Sequence, residues 1–520
     1  MPDLKLLDAE PTEAEREAID AVVGAEPAGS DRVVRSRPRR HLLLPALRAA
    51  QRRVGWVTAG ALGYASRRLE IPPADAYGVA TFYALISLEE RPAEVLHVCT
   101  DLSCALKGAV VPEGAVPSPC LGLCELAPAS LRTIAGERPR EIQIPEERLP
   151  VHGDKLLRRI ATGEPYGELR ALARARELGP EAVIAAVKAS PLLGRGGAAF
   201  PTGLKWEAVA RQPVKPHFLV CNADESEPGT FKDRVIMEQD PFALVEAMAI
   251  AMFATGCEKG YVYIRAEYPL AQRRVQDAID AVGIDVELRI GAGAYVCGEE
   301  TALFQSIEGH RGEPRNKPPF PVEAGLFGKP TVVNNVETLV NIPHILLGED
   351  GRDTRLFCVS GDVARPGLYE LELGTPLSQL LDTAGAEPAK AVLLGGAAGS
   401  FLRPDQLDLE LSFEAARAAG VTLGSGVVIV FGEDADLVSA VLRIAAFFRE
   451  ESCGQCVPCR VGTVRQEEAL HRLASGAANG DERAVLADLT QVMRDASICG
   501  LGQTAANAVA SAIENLGVLA

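Results

Sequence analysis

Eight of the twelve cysteines in this 520-residue chain fall into two groups of four, and these groups constrain the fold more than any other feature. The C-terminal group begins in the run Glu451-Ser-Cys-Gly-Gln-Cys-Val-Pro-Cys-Arg460, a C-x2-C-x2-C spacing. Three thiolates this close suit one cuboidal iron–sulfur cluster that takes a distant fourth ligand. A zinc site would need a second ligand pair at zinc-like spacing, and none follows. The sequence therefore predicts a [4Fe–4S] cluster on Cys453, Cys456, Cys459 and Cys499.

The N-terminal group of cysteines follows a β-rich run, Glu94-Val-Leu-His-Val98. Cys99 and Cys104 form a C-x4-C pair, and Cys120 and Cys124 form a C-x3-C pair. Four thiolates in two pairs suit a [2Fe–2S] cluster, with one pair on each iron. Zinc stays open as an alternative here, because the spacing alone does not exclude it. The other four cysteines have apolar neighbours and are predicted to be buried: Cys221, Cys257, Cys297 and Cys358.

Composition excludes several classes of protein. The length predicts three or four domains, and 47% hydrophobic with 24% charged residues is typical of globular cores. A net charge of −17 argues against nucleic acid and anionic lipid as partners. The start shows no secretory pattern, and the apolar stretch from Ala243 to Gly256 is too short for a bilayer and contains Glu246. We therefore expect a cytoplasmic protein without direct membrane insertion, whose cysteines serve metal or redox chemistry rather than disulfides.

The N-terminal part is predicted to be a helical bundle over residues 1–90. Apolar residues recur at three- and four-residue spacing in 13–23, 42–53 and 57–69. The stretch Gly78-Val-Ala-Thr-Phe-Tyr83 and the two cysteine pairs resemble the 24-kDa-type subunit of respiratory complex I. That resemblance implies a thioredoxin-like [2Fe–2S] domain over 91–150. The family has a longer connection between its cysteine pairs, whereas only residues 105–119 intervene here, so the domain is expected to be shortened.

A glycine-rich loop begins the central part, in Leu193-Gly-Arg-Gly-Gly-Ala-Ala-Phe-Pro-Thr-Gly-Leu-Lys-Trp206. Such loops let backbone amides approach a phosphate, although Ala199 stands where the dinucleotide pattern has its third glycine. Three later segments combine strand ends or glycine turns with polar side chains, which is how an α/β sheet builds a ligand crevice. They are Phe218 to Thr230, Gly291 to Ala302 and Thr331 to Thr338.

From about Leu192 onward the chain resembles the flavin-binding 51-kDa-type subunit of complex I. The resemblance implies an FMN- and NADH-binding α/β domain over 165–350 and, by matching positions, an FMN site. The matching FMN residues are Gly194, Arg195, Gly196, Lys205, Asn222, Asp224, Ser226, Tyr295, Gly298, Glu299, Glu300, Asn334, Asn335 and Thr338. For NADH the resemblance implies Phe200 and Phe320 as surfaces for the adenine, with Glu227 and Lys317 nearby.

These residues also have a physical interpretation. Lysine side chains can neutralise phosphate charge, and a phenylalanine face can stack on a purine. The carboxylates Asp224, Glu225, Glu227, Glu299 and Glu300 can accept hydrogen bonds from ribose hydroxyls but would repel a 2′-phosphate, which predicts NADH over NADPH. No protein group is predicted to be catalytic, because the flavin carries the hydride chemistry.

The C-terminal part contains two further domains. Leu356 to Glu370 has a strand–turn–strand pattern, and it resembles the family's ubiquitin-like SLBB module, expected over 352–432. Residues 436–520 are predicted to be helical and to frame the [4Fe–4S] cysteines, with Ser452 and the glycines after Cys499 leaving N–H groups to donate to sulfur.

The whole chain is thus expected to be a multidomain α/β and α+β protein. It would combine a helical bundle, a truncated thioredoxin-like ferredoxin domain, a Rossmann-like FMN domain, a ubiquitin-like SLBB domain and a helical [4Fe–4S] bundle.

The fusion of both parts, and Met493 to Gln503, resemble the β subunit of NAD-dependent molybdenum or tungsten formate dehydrogenases. That implies a diaphorase subunit whose molybdenum- or tungsten-containing partner has its own iron–sulfur clusters. The alternatives are the diaphorase subunit of an NAD-reducing [NiFe] hydrogenase, an NADH-input subunit of a complex I-type enzyme and, in another class, a zinc-stabilised non-catalytic scaffold.

Overall fold

The protein is described here by a computed structural model that covers residues 9–24, 37–148, 150–349, 351–478 and 480–519. The strands are β1 Glu94–Cys99, β2 Val116–Ser118, β3 Ser130–Ile134, β4 Arg140–Ile144, β5 His217–Ala223, β6 Cys257–Ile264, β7 Val286–Ile290, β8 Thr331–Asn335, β9 Thr354–Gly361, β10 Gly367–Glu372, β11 Ala389–Leu394, β12 Ser400–Leu402 and β13 Val427–Gly432.

The α-helices are Glu13–Val23, Leu43–Val54, Ala59–Leu69, Pro73–Ala80, Leu102–Leu106, Arg158–Thr162, Arg170–Leu178, Pro180–Ala189, Thr202–Ala210, Lys232–Gln239, Pro241–Thr255, Pro269–Val282, Glu300–Ile307, Pro321–Ala324, Val336–Leu347, Leu377–Ala384, Phe413–Ala418, Leu437–Glu451, Val457–Ala474, Glu482–Ala496, Gly500–Thr504 and Asn507–Leu516. Of the helices in these ranges, none has both the length and the apolar character needed to cross a membrane.

The N-terminal helices lie where the periodicity predicts them. Helix Glu13–Val23 begins with a capping box, in which Thr12 accepts from the Glu15 amide and the Glu15 side chain accepts from the Thr12 amide. It buries Ile19 and Val23 against the next two helices. The bundle prediction also extends over 1–8 and 25–36, which lie outside the described residues.

The first sheet carries the N-terminal cysteines. Its strand order is β2-β1-β3-β4, with β1 and β2 parallel and the remaining pairs antiparallel. Between β1 and β2 there is one short helix, Leu102–Leu106. Because β1 and β2 are parallel, Cys99 at the end of β1 and Cys120 just after β2 lie at the same end of the sheet.

The central sheet is the scaffold of the predicted ligand site. All four strands, in the order β7-β6-β5-β8, are parallel, and helices connect them. From β5 the chain adds β6 and then β7 on one side of the sheet, whereas β8 joins on the other side of β5. Such a reversal opens a crevice at the carboxyl ends of the two strands between which it occurs, here β5 and β8.

The last two units complete the molecule. The mixed sheet β10-β9-β13-β11-β12 has its core on the side of helix Leu377–Ala384. The C-terminal helices then pack on Leu437–Glu451, and Phe448 and Ile444 join the core that they share with the N-terminal bundle. A multidomain α/β protein with helices and mixed sheets is therefore confirmed.

Candidate functional site

Strand register brings the predicted flavin residues together. In the pairing of β5 with β8, Asn222 lies opposite Asn335, and Cys221 lies opposite Asn334. The Asn222 Nδ2 donates to the carbonyl of Gly298 at 2.8 Å, which ties the glycine turn 295–298 to the same strand end. Three of the four segments singled out in the sequence therefore meet at the crevice between β5 and β8.

The glycine loop closes the crevice from the fourth side. The Gly194 amide donates to the Phe200 carbonyl at 2.9 Å, so the loop folds back on itself. A Cβ on Gly196 would lie 3.2 Å from the Asn335 Cβ, so little beyond a hydrogen atom fits there. Ala199 has a φ of 51°, a conformation that glycine adopts more readily than alanine does.

Arg195 belongs to this loop, but its side chain turns away from the crevice. The Arg195 amide donates to the Thr338 Oγ1 at 2.9 Å, whereas its fully buried guanidinium pairs with Asp353 and donates to the Thr354 carbonyl. Both the side chain and the amide of Arg195 are therefore engaged within the protein rather than directed at a phosphate. Among the described residues, no protein acceptor takes the amide hydrogens of Gly196 and Gly197, which lie in an exposed cradle suited to a phosphate.

Asp224 provides the test of whether a flavin fits. It follows β5 directly, its Oδ2 is buried without a hydrogen-bond partner, and its backbone carbonyl accepts from the amide and hydroxyl of Ser226. A Cβ on Gly298 would lie 3.8 Å from that Oδ2, so the glycine leaves room beside the carboxyl group. A buried acceptor next to open space suits a ligand with hydroxyl or ring N–H donors, and FMN has both.

We predict that Asp224 makes the flavin-depleted protein less stable as the pH rises. Burial raises the pKa of its carboxyl from 3.8 to about 8, and Arg265 offsets this only in part. The folded state then holds a proton that the unfolded state loses, so stability falls between about pH 4 and pH 8. Thermal melts at several pH values should show a flatter profile in Asp224→Asn. The exposed Asp277→Asn should keep the wild-type slope, and an unchanged slope in Asp224→Asn would refute the assignment.

Two lysines set the charge at the edge of the crevice. Lys205 Nζ donates to the Val333 carbonyl at 3.0 Å and lies 3.5 Å from Glu300, while Lys317 Nζ contacts Glu299 at 2.9 Å and Glu300 at 3.0 Å. Burial would raise the Glu300 pKa, but the two lysines outweigh it and the pKa is lowered. Glu300 is therefore ionised and keeps both lysines at the edge of the crevice, where their charge can meet a phosphate.

The two phenylalanines that are predicted to contact the nicotinamide nucleotide both lie at the surface. Phe200 is 51% exposed and Phe320 is 53% exposed, which is unusual for such large apolar side chains. Lys205 Nζ is 5.9 Å from the centre of the Phe200 ring, so the cation and the aromatic face are adjacent at the site. Exposed aromatic rings beside lysines suit a purine attached to a phosphate.

The hypothesis of a carboxylate cluster facing the nucleotide needs a correction at Glu225. This side chain is buried and accepts from the amides of Asp233 and Arg234 at 2.7 and 2.9 Å, at the start of helix Lys232–Gln239. Its role is to hold that helix rather than a ribose. Glu227 is also engaged, because it accepts from the Tyr295 hydroxyl at 2.6 Å and from the Ala398 amide at 3.1 Å.

Tyr295 links the crevice to the C-terminal helices. Its ring packs edge-on against Phe447, at 5.0 Å between centroids, and its amide donates to Glu451 at 2.8 Å. Burial raises the pKa of Glu227 to about 7, and the Tyr295 hydroxyl lowers it only in part. A series of contacts therefore runs from Ala398 in the SLBB loop through Glu227 and Tyr295 to the helix before the [4Fe–4S] cysteines. The sequence does not show this connection.

A buried ion network, which the sequence does not indicate, lies behind the crevice. Lys232 is 1% exposed, pairs with Asp233 at 2.7 Å and Glu337 at 3.1 Å, and donates to Asn335 at 3.2 Å. Asn335 in turn donates to Asp233 at 2.5 Å. On the other side, the Trp206 Nε1 donates to the Asn334 Oδ1 at 2.8 Å, which fixes that amide. These contacts position both asparagines.

The C-terminal cysteines converge on one cavity. Cys453, Cys456, Cys459 and Cys499 line it together with Val296 and Ser452. The Ser452 hydroxyl lies 3.2 Å from the Cys459 sulfur, and the amides of Leu501 and Gly502 donate to the Cys499 sulfur. A Cβ on Gly502 would lie 2.9 Å from the Cys459 Cβ. Four thiols around one space, with amide donors to sulfur, fit a [4Fe–4S] cluster.

The N-terminal cysteines also lie together despite the short connection. Cys99, Cys104, Cys120 and Cys124 are all buried, and the last two sulfurs are 3.4 Å apart. Among the described residues, no group of three or more His, Cys, Asp and Glu side chains is arranged as a site for a single metal ion. Two thiol pairs in one buried cluster suit a [2Fe–2S] centre, with one pair on each iron.

The turn that carries Cys120 and Cys124 is docked on the central domain. Arg234 donates to the Gly122 carbonyl at 2.8 Å and pairs with Glu125, while Arg265 donates to the Cys120 carbonyl. A Cβ on Gly122 would meet the Tyr268 hydroxyl at 2.0 Å, so glycine is required for this approach. The other four cysteines are buried at 8% exposure or less, as predicted.

Four family models match the chain in the predicted order. They are the thioredoxin-like [2Fe–2S] ferredoxin over 31–111, the Nuo51 FMN-binding domain over 187–344, the SLBB domain over 356–396 and the NADH-ubiquinone oxidoreductase-F iron–sulfur binding region over 439–517. The ferredoxin match ends before the second cysteine pair, in keeping with the shortened connection.

Among the similar proteins is the NADH-quinone oxidoreductase F 2 subunit of Rhizobium meliloti, 42% identical over 68% of this chain and 92% of its own length. Another is the NADP-reducing hydrogenase protein HndC of Solidesulfovibrio fructosivorans, 41% identical over 66% and 76%. A solved NAD+-reducing [NiFe]-hydrogenase matches 92% of this chain and 93% of its own, with TM-score 0.81 and 33% identity. The chain therefore belongs to the NADH-quinone oxidoreductase F family and is an FMN- and iron–sulfur-dependent oxidoreductase.

Proposed function

We propose that this chain is the diaphorase subunit of an NAD-dependent formate dehydrogenase complex, exchanging electrons between NAD(H) and a partner through FMN and iron–sulfur clusters. The observation that carries the diaphorase part is the turn Tyr295–Gly298. On one side Gly298 accepts from Asn222 in the flavin crevice, and on the other side Val296 lines the cavity of the [4Fe–4S] cysteines. One turn thus separates the two cofactor sites.

The residues of the crevice have distinct tasks in this function. When bound, FMN accepts a hydride and releases electrons one at a time. The loop amides at Gly196 and Gly197 and the charges of Lys205 and Lys317 would hold phosphates, while Phe200 and Phe320 would stack on the adenine. Asn222, Asp224, Ser226, Asn334, Asn335 and Thr338 would hold the flavin, and Glu227 would position Tyr295 between flavin and cluster.

The formate assignment rests on two features of the chain. Both the ferredoxin-like and the flavin-binding parts are fused in one polypeptide, and Met493 to Gln503 resembles the formate dehydrogenase β subunits. The partner would be a molybdenum- or tungsten-containing subunit with its own iron–sulfur clusters.

Twelve cysteines without a disulfide among the described residues favour a reducing compartment, the cytoplasm.

A hydrogenase complex is the second candidate, because a specific observation favours it. The solved NAD+-reducing [NiFe]-hydrogenase matches 92% of this chain, and its match therefore spans both fused parts. Affinity purification of the native complex, followed by metal analysis, separates the two. Molybdenum or tungsten with formate-dependent NAD+ reduction would support the first proposal. Nickel with H2-dependent NAD+ reduction would replace it with the second.

We predict a preference for NADH over NADPH of at least about 100-fold in kcat/KM, because like charges brought together cost several kcal/mol. Glu299 and Glu300, held by Lys317, would face an incoming 2′-phosphate. Steady-state kinetics with both nucleotides measure the ratio, and Glu300→Gln should lower it while Glu287→Gln, on the far strand β7, should not. Comparable kcat/KM values in the wild type would contradict the prediction. The measurement is a real test, because one of the similar proteins is a subunit of an NADP-reducing hydrogenase.

A further inference from the structure

A second cavity lies away from the flavin crevice, where three domains meet. It has a volume of about 60 Å³ and is enclosed by the helix Leu43–Val54, the sheet β1-β3-β4 and two alanines of the central domain. One wall is apolar, and the other presents cationic and imidazole side chains. The lining residues used below are Arg48, Arg52, His97, Thr133, Arg140 and Glu141.

Arg48 is the group in this cavity that lacks a partner. No acceptor among the described residues lies within hydrogen-bond or ion-pair distance of its guanidinium. Burial lowers the pKa of Arg48 to about 10, despite the opposing field of Glu141, so it stays charged at neutral pH. The Arg48 side chain is half-buried and borders the cavity, so a counter-ion can reach its guanidinium there.

The neighbouring carboxylates are already bound to other arginines. Glu141 pairs with Arg52 at 2.9 Å, and Glu267, whose field also reaches Arg48, pairs with Arg265 at 2.6 Å. Arg140 adds a further cation at the rim, so positive charge exceeds negative charge around the cavity.

We propose that this cavity binds a small oxyanion, inorganic phosphate or a short carboxylate, through the Arg48 guanidinium. The cavity volume is several times the roughly 10–15 Å³ that one water molecule needs, so a small oxyanion fits. His97, whose Nε2 lies 3.5 Å from the Thr133 Oγ1, offers a second polar contact. The bound ion would join the N-terminal bundle to the ferredoxin-like sheet beside the central domain.

Isothermal titration of the full-length holoprotein with sodium phosphate, and separately with sodium acetate, tests the proposal against a chloride baseline at matched ionic strength. We expect saturable binding of at least one anion, weakened about tenfold or more in Arg48→Gln, since a charged hydrogen bond is lost. Stronger binding of phosphate than of acetate would identify an inorganic oxyanion site, and the reverse order would identify a carboxylate site.

Arg53→Gln is the matched control, because Arg53 belongs to the same helix but pairs with Glu17 at 3.7 Å. This variant should bind as the wild type does. Arg48→Lys keeps a cation and should lose less affinity than Arg48→Gln, and an unchanged flavin spectrum shows that each variant is folded. Absence of saturable binding by the wild type, or equal affinity in Arg48→Gln, would overturn the proposal.

Discussion

Replacing Cys459 with alanine is expected to stop electron transfer to the partner subunit while leaving FMN in place and reducible by NADH. Cys459 is 6% exposed and lies in the first turn of helix Val457–Ala474, where its sulfur faces the cavity shared by four cysteines. Alanine removes the protein ligand of one iron, so we expect the cluster to be lost and the iron content to fall by about four atoms per chain. Alanine is chosen because a serine hydroxyl could still bind iron.

Iron analysis, visible spectra before and after NADH, and partner-dependent turnover measure this result. The control is Cys257→Ala, since Cys257 is also buried, at the start of β6, but contacts Thr255 rather than another predicted ligand. It should keep full iron content and turnover. If Cys459→Ala keeps both as well, the C-terminal cysteines do not hold the cluster that connects flavin to partner.

Much of this architecture follows from local patterns in the sequence. The helices at Glu13–Val23 and Ala59–Leu69 lie where apolar residues recur at helical spacing. Strand β1 forms at the predicted β-rich run and ends at Cys99. The cysteine spacing indicated two clusters because ligands close in sequence must be close in space. Strand ends rich in polar residues likewise indicated a crevice, and the register of Asn222 with Asn335 brings them together.

What the sequence could not show depends on contacts between distant segments. The run Phe231-Lys-Asp-Arg234 looks like the start of an exposed helix, yet all four residues are buried at 2% exposure or less. Glu225 was interpreted as facing a nucleotide because it is adjacent to Asp224, but it caps the helix that follows. Neither outcome can be read from adjacent residues. Lys232 and Arg234 are held by Asn335, Glu337 and the turn after Cys120, and Glu225 accepts from amides eight and nine residues further along the chain.

The same dependence explains how the shortened ferredoxin-like domain is held. Its cysteine turn 120–124 buries Leu121 and Leu123 in the local core and also contacts Arg234 and Arg265 of the central domain. On the opposite side, Asp101 pairs with Arg443 at 3.1 Å on the helix that leads to the [4Fe–4S] cysteines. Contacts with two other domains therefore help to hold the segment that carries the four cysteines.

Lys232→Met is expected to destabilise the protein by about 3–5 kcal/mol and to release FMN, because it leaves buried carboxylates without their cation. Burial alone would lower the Lys232 pKa, but Asp233, Glu337 and Glu225 outweigh it and raise the pKa, so the lysine is charged in the folded protein. Removing it exposes Asp233 to Glu337 and takes one of its hydrogen bonds from Asn335, whose amide would hold the flavin.

Denaturant unfolding and flavin content after desalting measure both effects. Lys259→Met is the control, since its ion pair with Glu287 is about one-third exposed and should contribute no more than about 1 kcal/mol. The double variant Lys232→Met/Glu337→Gln removes one of the stranded charges and should recover part of the lost stability. If Lys232→Met unfolds as the wild type does and retains FMN, the buried network does not support the flavin crevice. If the double variant is no more stable than the single one, the loss comes from packing rather than from unpaired charge.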